Sequence, residues 1–404
     1  MSITTLRLTP CDPIIARDGR PFGVGQGNRM RSLAWPLPST VAGALRTALV
    51  KAHPGLDFSG EIPQQLMAVE AAGLFPTRNG ELYLPAPNDC AWEEKSGKVF
   101  RLRPVPLEQG EGADFPANGL NPVRLTEGQA QKDFKAKALP AWWPLGKYVE
   151  WLVMARSDFS KDWFDTDFLN AAVPETRDHV CLDAETGAAA EGQIFATAGL
   201  NATHLPRFGV ESSKPFQKRF AEITLSARVT IPELGFEHIE NFAGWHPLGG
   251  ERRLVHWQQG AAMDLWKCPD AVKPVLESAP RIRMILATPT IFEHGWRPNW
   301  LDADTLSGKP FDDGPVLKLV GVTNARWRAV SGWAFQKIDD LGRLHANGKR
   351  GPKPIRRMVP AGSVYFFECR PGEGAPLADY WLKSVCDGEQ DRRDGFGLAI
   401  WGTW

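Results

Sequence analysis

The sequence lacks the features that usually mark disulfide, zinc or membrane chemistry. Its six cysteines lie far apart, with no C-x-x-C pair and no histidine at zinc-ligand spacing, so we expect neither a disulfide framework nor a structural metal site. There is no apolar run of membrane-spanning length, and the N-terminal stretch MSITTLRLTP alternates like a strand, unlike a signal peptide. We therefore expect a cytoplasmic protein with no membrane contact, no metal and no cofactor.

The sequence also has no net charge, because 47 lysine and arginine residues balance 47 aspartate and glutamate residues. This argues against a protein that coats nucleic acid through its overall field, so any such contact must be a local patch. Tyrosine is scarce, with 4 residues, whereas 16 tryptophans and 21 phenylalanines are available as base-stacking platforms or as core and interface anchors. The 404 residues, 43% of them hydrophobic, suffice for two soluble globular domains.

The most informative stretch runs from Asp12 to Leu49, where a glycine-rich loop leads into a helix. Ser39 or Thr40 is the expected N-cap, because a side-chain oxygen there can accept from the free N–H groups of the first turn. The arginines of the loop are Arg17, Arg20, Arg29 and Arg31. Free N–H groups and guanidinium forks both suit phosphate oxygens. The alternative is an ordinary surface loop followed by a well-capped helix.

Along the rest of the chain, alternating apolar residues predict strands and apolar residues at helical spacing predict helices. The expected strands are Thr5–Thr9, Glu81–Pro85 after a turn at Asn79-Gly80, Phe220–Ile231, Arg281–Ala287, Leu317–Thr323 and Gly362–Cys369. Three helices are expected. The first ends at about Leu49, and the other two cover Pro63–Ala72 and Phe159–Ala172. Residues 85–144 show no firm pattern and are interpreted as a long insertion.

This order predicts an α+β fold of two ferredoxin-like, RRM-like β-α-β-β-α-β domains. The first covers residues 1–205, including the insertion at 85–144, and the second covers 206–404. A glycine-rich turn at Gly395-Phe396-Gly397 precedes the last expected strand. Sheets of this kind bind single-stranded RNA well, because bases can stack on their face and rim.

The most basic stretch lies between Leu344 and Val359. Its cations, with no acidic residue among them, are Lys349, Arg350, Lys353, Arg356 and Arg357. A solvated charged loop is the simplest interpretation, although nearby glycines and prolines would keep the stretch extended and exposed.

Seven segments, in order along the chain, resemble the third subunit of the Cmr complex, the type III-B CRISPR effector, which belongs to the RAMP superfamily. They are residues 17–22, 38–46, 177–183 with 192–195, 249–253, 288–292 with 295–296, 359–364 and 395–397. The resemblance implies a non-catalytic subunit of an antiviral ribonucleoprotein that holds the constant 5′ tag of the CRISPR RNA. It also implies a hetero-oligomer in which the chain lies beside an adjacent backbone RAMP subunit and docks the large polymerase/cyclase-like signalling subunit.

Family members also have a projecting hairpin that bends the guide RNA where tag meets spacer, and we expect the insertion at 85–144 to supply it. Most of the expected RNA-binding residues are carried over from the family's motifs, and three come from the basic stretch. They lie on loops and helix starts. They are Arg17, Arg20, Ser39, Thr40, Arg46, Arg177, His179, Gly249, Gly250, Arg252, Arg253, Lys353, Arg356, Arg357, Gly395, Phe396 and Gly397. The arginines would contact phosphate or stack on bases, and the glycines would allow close backbone approach.

Three other functions stay open at this stage. A RAMP endoribonuclease that processes guide precursors would use His179 or His246 as a general base toward a 2′-hydroxyl. A metal-dependent nuclease could use Asp12, although one carboxylate without a second acid is weak evidence. A scaffold that contacts only proteins would also agree with the zero net charge.

Overall fold

The structure is a computed structural model that describes residues 2–18, 20, 22, 28–53, 58–59, 61–126, 134–156, 158–160, 162–209, 223–232, 243–260, 263–334 and 351–404. It is a mixed α/β fold with more strand than helix. No helix within these ranges is long and apolar enough to cross a membrane.

The strands are β1 (Ser2–Pro10), β2 (Asn28–Arg29), β3 (Glu70–Arg78), β4 (Glu81–Pro85), β5 (Cys90–Glu93), β6 (Val99–Arg101), β7 (Arg103–Pro104), β8 (Val123–Arg124), β9 (Ala136–Lys137), β10 (Trp142–Pro144), β11 (Asp158–Phe159), β12 (Pro174–Leu182), β13 (Ala189–Leu200), β14 (Thr224–Ile231), β15 (Gly244–Pro247), β16 (Leu254–Gln259), β17 (Arg281–Leu286), β18 (Ser307–Gly308), β19 (Leu317–Thr323), β20 (Arg328–Val330), β21 (Trp333–Ala334), β22 (Gly351–Pro352), β23 (Arg356–Met358), β24 (Val364–Glu368), β25 (Lys383–Ser384) and β26 (Leu398–Thr403). The α-helices are α1 (Pro38–Ala52), α2 (Ile62–Leu66), α3 (Leu145–Val153), α4 (Val272–Ser278) and α5 (Glu389–Arg393). Short 3₁₀ turns cover Gly250–Arg252, Met263–Trp266 and Ala375–Tyr380.

One compact unit comprises residues 1–80, 170–206 and 211–262. Its main sheet is antiparallel, in the order β3-β14-β1-β16-β15. Leu6 and Leu8 of β1 and Trp257 of β16 lie on one face of this sheet and pack with Val41 and Leu45 of α1. All five side chains are fully buried, so α1 is held by apolar burial worth about 1.5–3 kcal/mol for each large side chain.

The same unit carries a long hairpin, β12–β13, whose register runs from Pro174 opposite Leu200 to Leu182 opposite Ala189. Strand β2 adds to it in parallel beside Phe195 and Ala196. Most of β12 is exposed to solvent.

The second unit comprises residues 81–169, 207–210 and 263–404. Its main sheet is antiparallel, in the order β18-β19-β24-β17-β26-β25. Residues 85–144, expected as an unpatterned insertion, contain the short strands β5 to β10. The two compact units interleave along the chain, so they have no single boundary to compare with the one expected between residues 205 and 206. That boundary stays a prediction.

Two helical predictions are wrong. The described part of 159–172 forms a strand end, turns and a bridge, and the helix lies earlier, at Leu145–Val153. Of the range Pro63–Ala72, only the start is helical, because α2 ends at Leu66 and β3 begins at Glu70. The strand expected from Phe220 is observed at Thr224–Ile231, and residues 220–222 lie outside the described ranges.

The start of α1 also differs from the expectation. Leu37 is the N-cap, Pro38 opens the helix and no side chain caps it. Proline is favoured at the first helical position because its missing N–H would have had no partner there. The helix therefore begins before Ser39 and Thr40, which occupy its first turn.

Candidate nucleic-acid interface

The loop after β1 is anchored to two other segments of the first unit through its backbone. Ile14 exchanges two hydrogen bonds with Leu200 of β13, at 2.9 and 2.7 Å. The next residue, Ile15, accepts a bond of 2.8 Å from the N–H of Gly250. Both isoleucines are buried, so the first loop, the base of the β12–β13 hairpin and the Gly249–Arg253 turn have fixed relative positions.

The Gly249–Arg253 turn requires glycine at its first position. Gly249 has a φ of +80°, and a Cβ on it would lie 2.4 Å from the carbonyl oxygen of Ile15. Glu251 and Arg252 also have positive φ, 56° and 49°. The close backbone approach that glycine allows here, expected toward RNA, is made to the protein's own first loop. The side chain of Arg252 is exposed to solvent.

A line of ring contacts connects the first loop to the hairpin. The guanidinium of Arg17 lies over the ring of Phe22, 5.4 Å from its centroid. Phe22 contacts Phe195 of β13 edge to face at 5.8 Å. Phe195 stacks on His179 of β12 at 5.0 Å, and the imidazole shares a 2.9 Å hydrogen bond with the hydroxyl of Thr197.

Arg177 and Arg253 meet at a small pocket in this unit. Its lining residues are Pro13, Ile15, Glu175, Arg177, Thr197, Gly199 and Arg253. At about 10 Å³ it has room for about one water molecule and not for a base. Arg177 is paired with Glu175 at 2.6 Å, whereas the Nε of Arg253 is buried without a hydrogen-bond partner among the described atoms.

The arginines of this surface differ in how their charge is compensated. Arg20 is paired with Asp18 at 3.3 Å, and Arg177 is paired with Glu175. By contrast, Arg17, Arg252 and Arg253 have no carboxylate partner in the described part of the chain. We call the surface formed by residues 13–22, 175–179, 195–199 and 249–253 the arginine surface.

Arg46, an expected RNA-binding residue, lies elsewhere. It is 8% exposed, and its Nη2 donates to the carbonyl oxygen of Val69 at 2.8 Å and to that of Met67 at 3.5 Å. It ties α1 to the segment before β3, so we assign it a structural role. Ser39 and Thr40 are half-buried in the first turn of α1.

The expected glycine-rich turn of the second unit is buried as well. The carbonyl oxygens of Gly395 and Phe396 accept from the hydroxyls of Thr288, at 2.8 Å, and Ser384, at 2.5 Å. A Cβ on Gly397 would lie 2.8 Å from the hydroxyl oxygen of Thr290. In the described structure these three residues position β26 and do not face solvent, which corrects the expectation that they lie at an RNA-binding surface.

The three expected cations of the basic stretch have different surroundings. Arg356 makes a two-pronged ion pair with Asp391 of α5, at 2.6 and 2.8 Å, whereas Arg357 lies over the exposed ring of Trp327, 5.2 Å from its centroid. The backbone of Lys353 bonds to Ser331 and Gly332. Lys349 and Arg350 lie outside the described residues.

Sequence patterns missed several residues that the structure brings to these surfaces. In the first unit these are Phe22 and Phe195. Arg29, noted from the sequence only as a loop arginine, is exposed and is carried by β2 alongside β13. In the second unit they are Trp327 and its neighbours Arg326 and Arg328. The signal available for Trp327 was its place between two arginines. Within the described ranges, no three His, Cys, Asp or Glu residues are grouped so that they could hold a metal.

A strand-rich α/β fold that gathers uncompensated arginines on loops is suited to binding phosphate groups. The family model described as "CRISPR-associated protein (Cas_Cmr3)" matches residues 6–404, so the chain belongs to this family. This confirms the resemblance to the third Cmr subunit and with it the expectation of a CRISPR effector subunit. No curated protein sequence matches the chain.

Three solved structures illustrate the structural similarity. A chain of the type III-B Cmr-beta complex bound to cognate target RNA has 14% identity and a TM-score of 0.45, with 98% of this chain and 96% of that chain covered. A chain of the same complex bound to cognate target RNA and AMPPnP has 14% identity and a TM-score of 0.44, with coverages of 90% and 86%. A chain of the Csm3–Csm4 subcomplex of the type III-A interference complex has 9% identity and a TM-score of 0.37, with coverages of 92% and 94%. Because all three scores are below 0.5, the assignment depends on the family match.

Proposed function

We propose that this chain is a non-catalytic subunit of a type III-B CRISPR effector and that its arginine surface holds the constant 5′ tag of the CRISPR RNA. The observation that carries the proposal is the backbone linkage of three arginine-bearing segments, with Arg17, Arg252 and Arg253 lacking carboxylate partners in the described chain. Arginine forks in fixed positions suit the closely spaced phosphates of a bent RNA strand. Phe22, Phe195 and His179, which lie beside these arginines, offer ring faces and edges to tag bases.

The hairpin β12–β13 is our candidate for the family's projecting hairpin, in place of residues 85–144. Its two faces differ because side chains alternate along each strand. Arg177 and His179 point to the face of the arginine surface, whereas Val180, Leu182 and Ile194 are 53%, 68% and 47% exposed on the other face. An exposed apolar face beside a basic one suits a wedge at the point where the tag meets the spacer.

The strand order supports two ferredoxin-like domains. Taken in chain order, β1, β3, β14 and β16 of the first unit are arranged as 2-3-1-4, and β17, β19, β24 and β26 of the second unit have the same arrangement. This is the antiparallel order of a β-α-β-β-α-β module. The first crossover of the second unit has no α-helix among its described residues, 287–316, so that module would be incomplete.

The proposal also includes the partners that the family resemblance implies. They are the large polymerase/cyclase-like subunit and the adjacent backbone RAMP subunit, in a cytoplasmic hetero-oligomer. Exposed apolar side chains, such as Val173 and Trp245 at 59% each, are available for such protein contacts.

The proposal is tested by purifying the effector from co-expressed subunits through a tag on this chain, crosslinking it and sequencing the attached RNA. Crosslinks from this chain should concentrate on a constant 5′ segment shared by RNAs with different spacers. The double variant Arg252→Glu/Arg253→Glu should retain less guide RNA, and the deficit should shrink as salt rises because phosphate contacts release counterions.

Arg370→Glu is the matched control, since Arg370 is an 86% exposed arginine of the second unit outside the arginine surface. Retention that falls equally in this control, or stays unchanged in the double variant at low salt, would contradict the proposal. Crosslinks to no RNA at all would favour the protein-only scaffold. Cleavage of a precursor RNA by this chain, abolished by His179→Ala, would favour the endoribonuclease.

A further inference from the structure

The second unit contains an exposed two-stranded ribbon formed by β20 and β23, which we call the Trp327 ribbon, residues 326–332 and 351–358. Arg328 pairs with Met358, Ala329 with Arg357 and Val330 with Arg356. Directly paired residues share a face, so Val330 and Arg356 lie on one face while Ala329 and Arg357 lie on the other.

The inner face fixes the ribbon to the rest of the unit. Val330 and Met358 are 3% and 4% exposed. Arg356 is held by both carboxylate oxygens of Asp391, itself buried in α5. The carboxylate of Asp391 is therefore already committed on the inner side, and the ribbon has a firm support.

The outer face presents an aromatic ring among cations. Trp327 is 49% exposed and has the guanidinium of Arg357 against one side of its ring. Ile355, two residues before Arg357, is 77% exposed. The exposed cations Arg326 and Arg357 have no carboxylate partner among the described residues, whereas Arg328, also exposed, lies opposite Met358 on the inner face.

The charge around this ring favours a polyanion over a protein partner. None of the ribbon's own residues, 326–332 and 351–358, is an aspartate or glutamate. A half-exposed tryptophan oriented by an arginine and flanked by further arginines combines base stacking with phosphate pairing.

We propose that the Trp327 ribbon is a second RNA-binding surface, distinct from the arginine surface, which stacks a base of single-stranded RNA on Trp327. Arg326 and Arg357 pair with the flanking phosphates. The inference does not depend on tag binding, because the ribbon's residues carry it alone.

The test uses the full chain carrying Arg252→Glu/Arg253→Glu, which removes the two free arginines of the Gly249–Arg253 turn, and a fluorescently labelled single-stranded oligouridine that contains no tag sequence. Binding is followed by fluorescence anisotropy over a range of salt concentrations. Trp327→Ala should weaken binding about tenfold, the expected size for loss of one base stack. The double variant Arg326→Gln/Arg357→Gln should lower the slope of log K against log salt by about 1.4, or about 0.7 for each phosphate contact.

Trp245→Ala is the matched control, because Trp245 is more exposed than Trp327 but has His256 rather than an arginine beside its ring. It should leave binding unchanged. Thermal unfolding checks that each variant is folded, which is expected for the ribbon variants because Trp327 and the substituted ribbon arginines are exposed. Absence of oligouridine binding, or equal affinity of a folded Trp327→Ala variant, overturns the proposal.

Two further arms use the assembled effector. Crosslinking with 4-thiouridine in the guide RNA alone, or in an added complementary target alone, identifies which RNA contacts the ribbon, and either result supports the proposal. If Trp327→Ala instead releases a protein subunit while the RNA contacts persist, the ribbon is a protein-docking surface and the proposal is wrong.

Discussion

At the scale of single residues, Asp89 of the second unit compensates buried positive charge. Asp89 and Arg283 form an ion pair with both side chains fully buried, and Asp89 accepts the indole N–H of Trp151 at 3.0 Å. Arg101 and Arg283 both donate to the carbonyl oxygen of Trp151. Burial, together with the charge of Arg283, lowers the pKa of Arg101, so two guanidinium groups depend on one carboxylate.

We predict that Asp89→Asn destabilises the fold by about 3–5 kcal/mol, because it leaves two buried guanidinium groups without a counter-charge. Arg283→Met should cost less, since Trp151 still donates to the carboxylate and Arg101 still supplies a nearby positive charge. The double variant should recover part of the loss, giving a double-mutant cycle with clear coupling. Urea unfolding followed by circular dichroism measures all three, and additive losses would contradict the coupling.

Sequence reasoning could not find this pair. Arg281 and Arg283 alternate with Ile282 and Met284, a pattern that favours a strand with one solvated face. In the structure Arg283 is fully buried, and its partner Asp89 lies 194 positions earlier, in a stretch without periodicity. A contact between such distant positions leaves no local signal.

At the scale of elements, the strands were predicted better than the helices. β19 has the expected bounds, Leu317–Thr323, and Asn79 and Gly80 both have positive φ, as the expected tight turn requires. The helix expected at Phe159–Ala172 is absent because its aromatic residues, although spaced like a helical face, pack from turns around Trp143, with ring centroids 5.1 Å apart for Trp163 and 5.6 Å for Phe168. Spacing alone cannot distinguish these arrangements.

The segments of the arginine surface were also predictable, but not the state of each residue. The glycines and arginines at 249–253 form a turn, and its bridge to Ile15 of the first loop is a contact that the sequence did not indicate. Burial of Arg46 against Val69, and of the Gly395–Gly397 turn, depends on which elements pack together. A family motif identifies such residues, but it does not distinguish a residue that stabilises the fold from one that contacts RNA.

The β12–β13 hairpin gives a prediction at this scale. Replacing Val180, Leu182 and Ile194 by threonine removes the apolar face and leaves a β-branched strand former at each position. Because these side chains are exposed, the melting temperature should change little, whereas protection of the guide RNA at the junction of tag and spacer should decrease in ribonuclease footprinting of the effector. Val173→Thr is the control, as a 59% exposed valine next to the hairpin. Unchanged protection would place the hairpin away from the junction.

At the scale of the whole molecule, the alternation of strands and loops indicated two similar halves, and both main sheets do share the order 2-3-1-4. The pattern could not show that the chain passes back and forth between the two compact units, with residues 81–169 in the second unit and residues 170–206 in the first. Such an arrangement is specified by long-range contacts. The net charge is likewise an overall property that does not show the local arrangement, since a value of zero is compatible with local surfaces of one sign.

This separation of local from overall charge leads to a prediction on pH. Raising the pH from 7 to 9 takes the chain above its isoelectric point of about 7.1 and makes it net negative, while the arginines of both proposed RNA surfaces stay protonated. At constant ionic strength, the affinity of the full chain for single-stranded RNA should therefore change less than about threefold, whereas raising salt at either pH should weaken it steeply. Fluorescence anisotropy at both pH values measures this. An affinity that falls in step with the net charge would mean that the overall field, and not the arginine-bearing surfaces, governs binding.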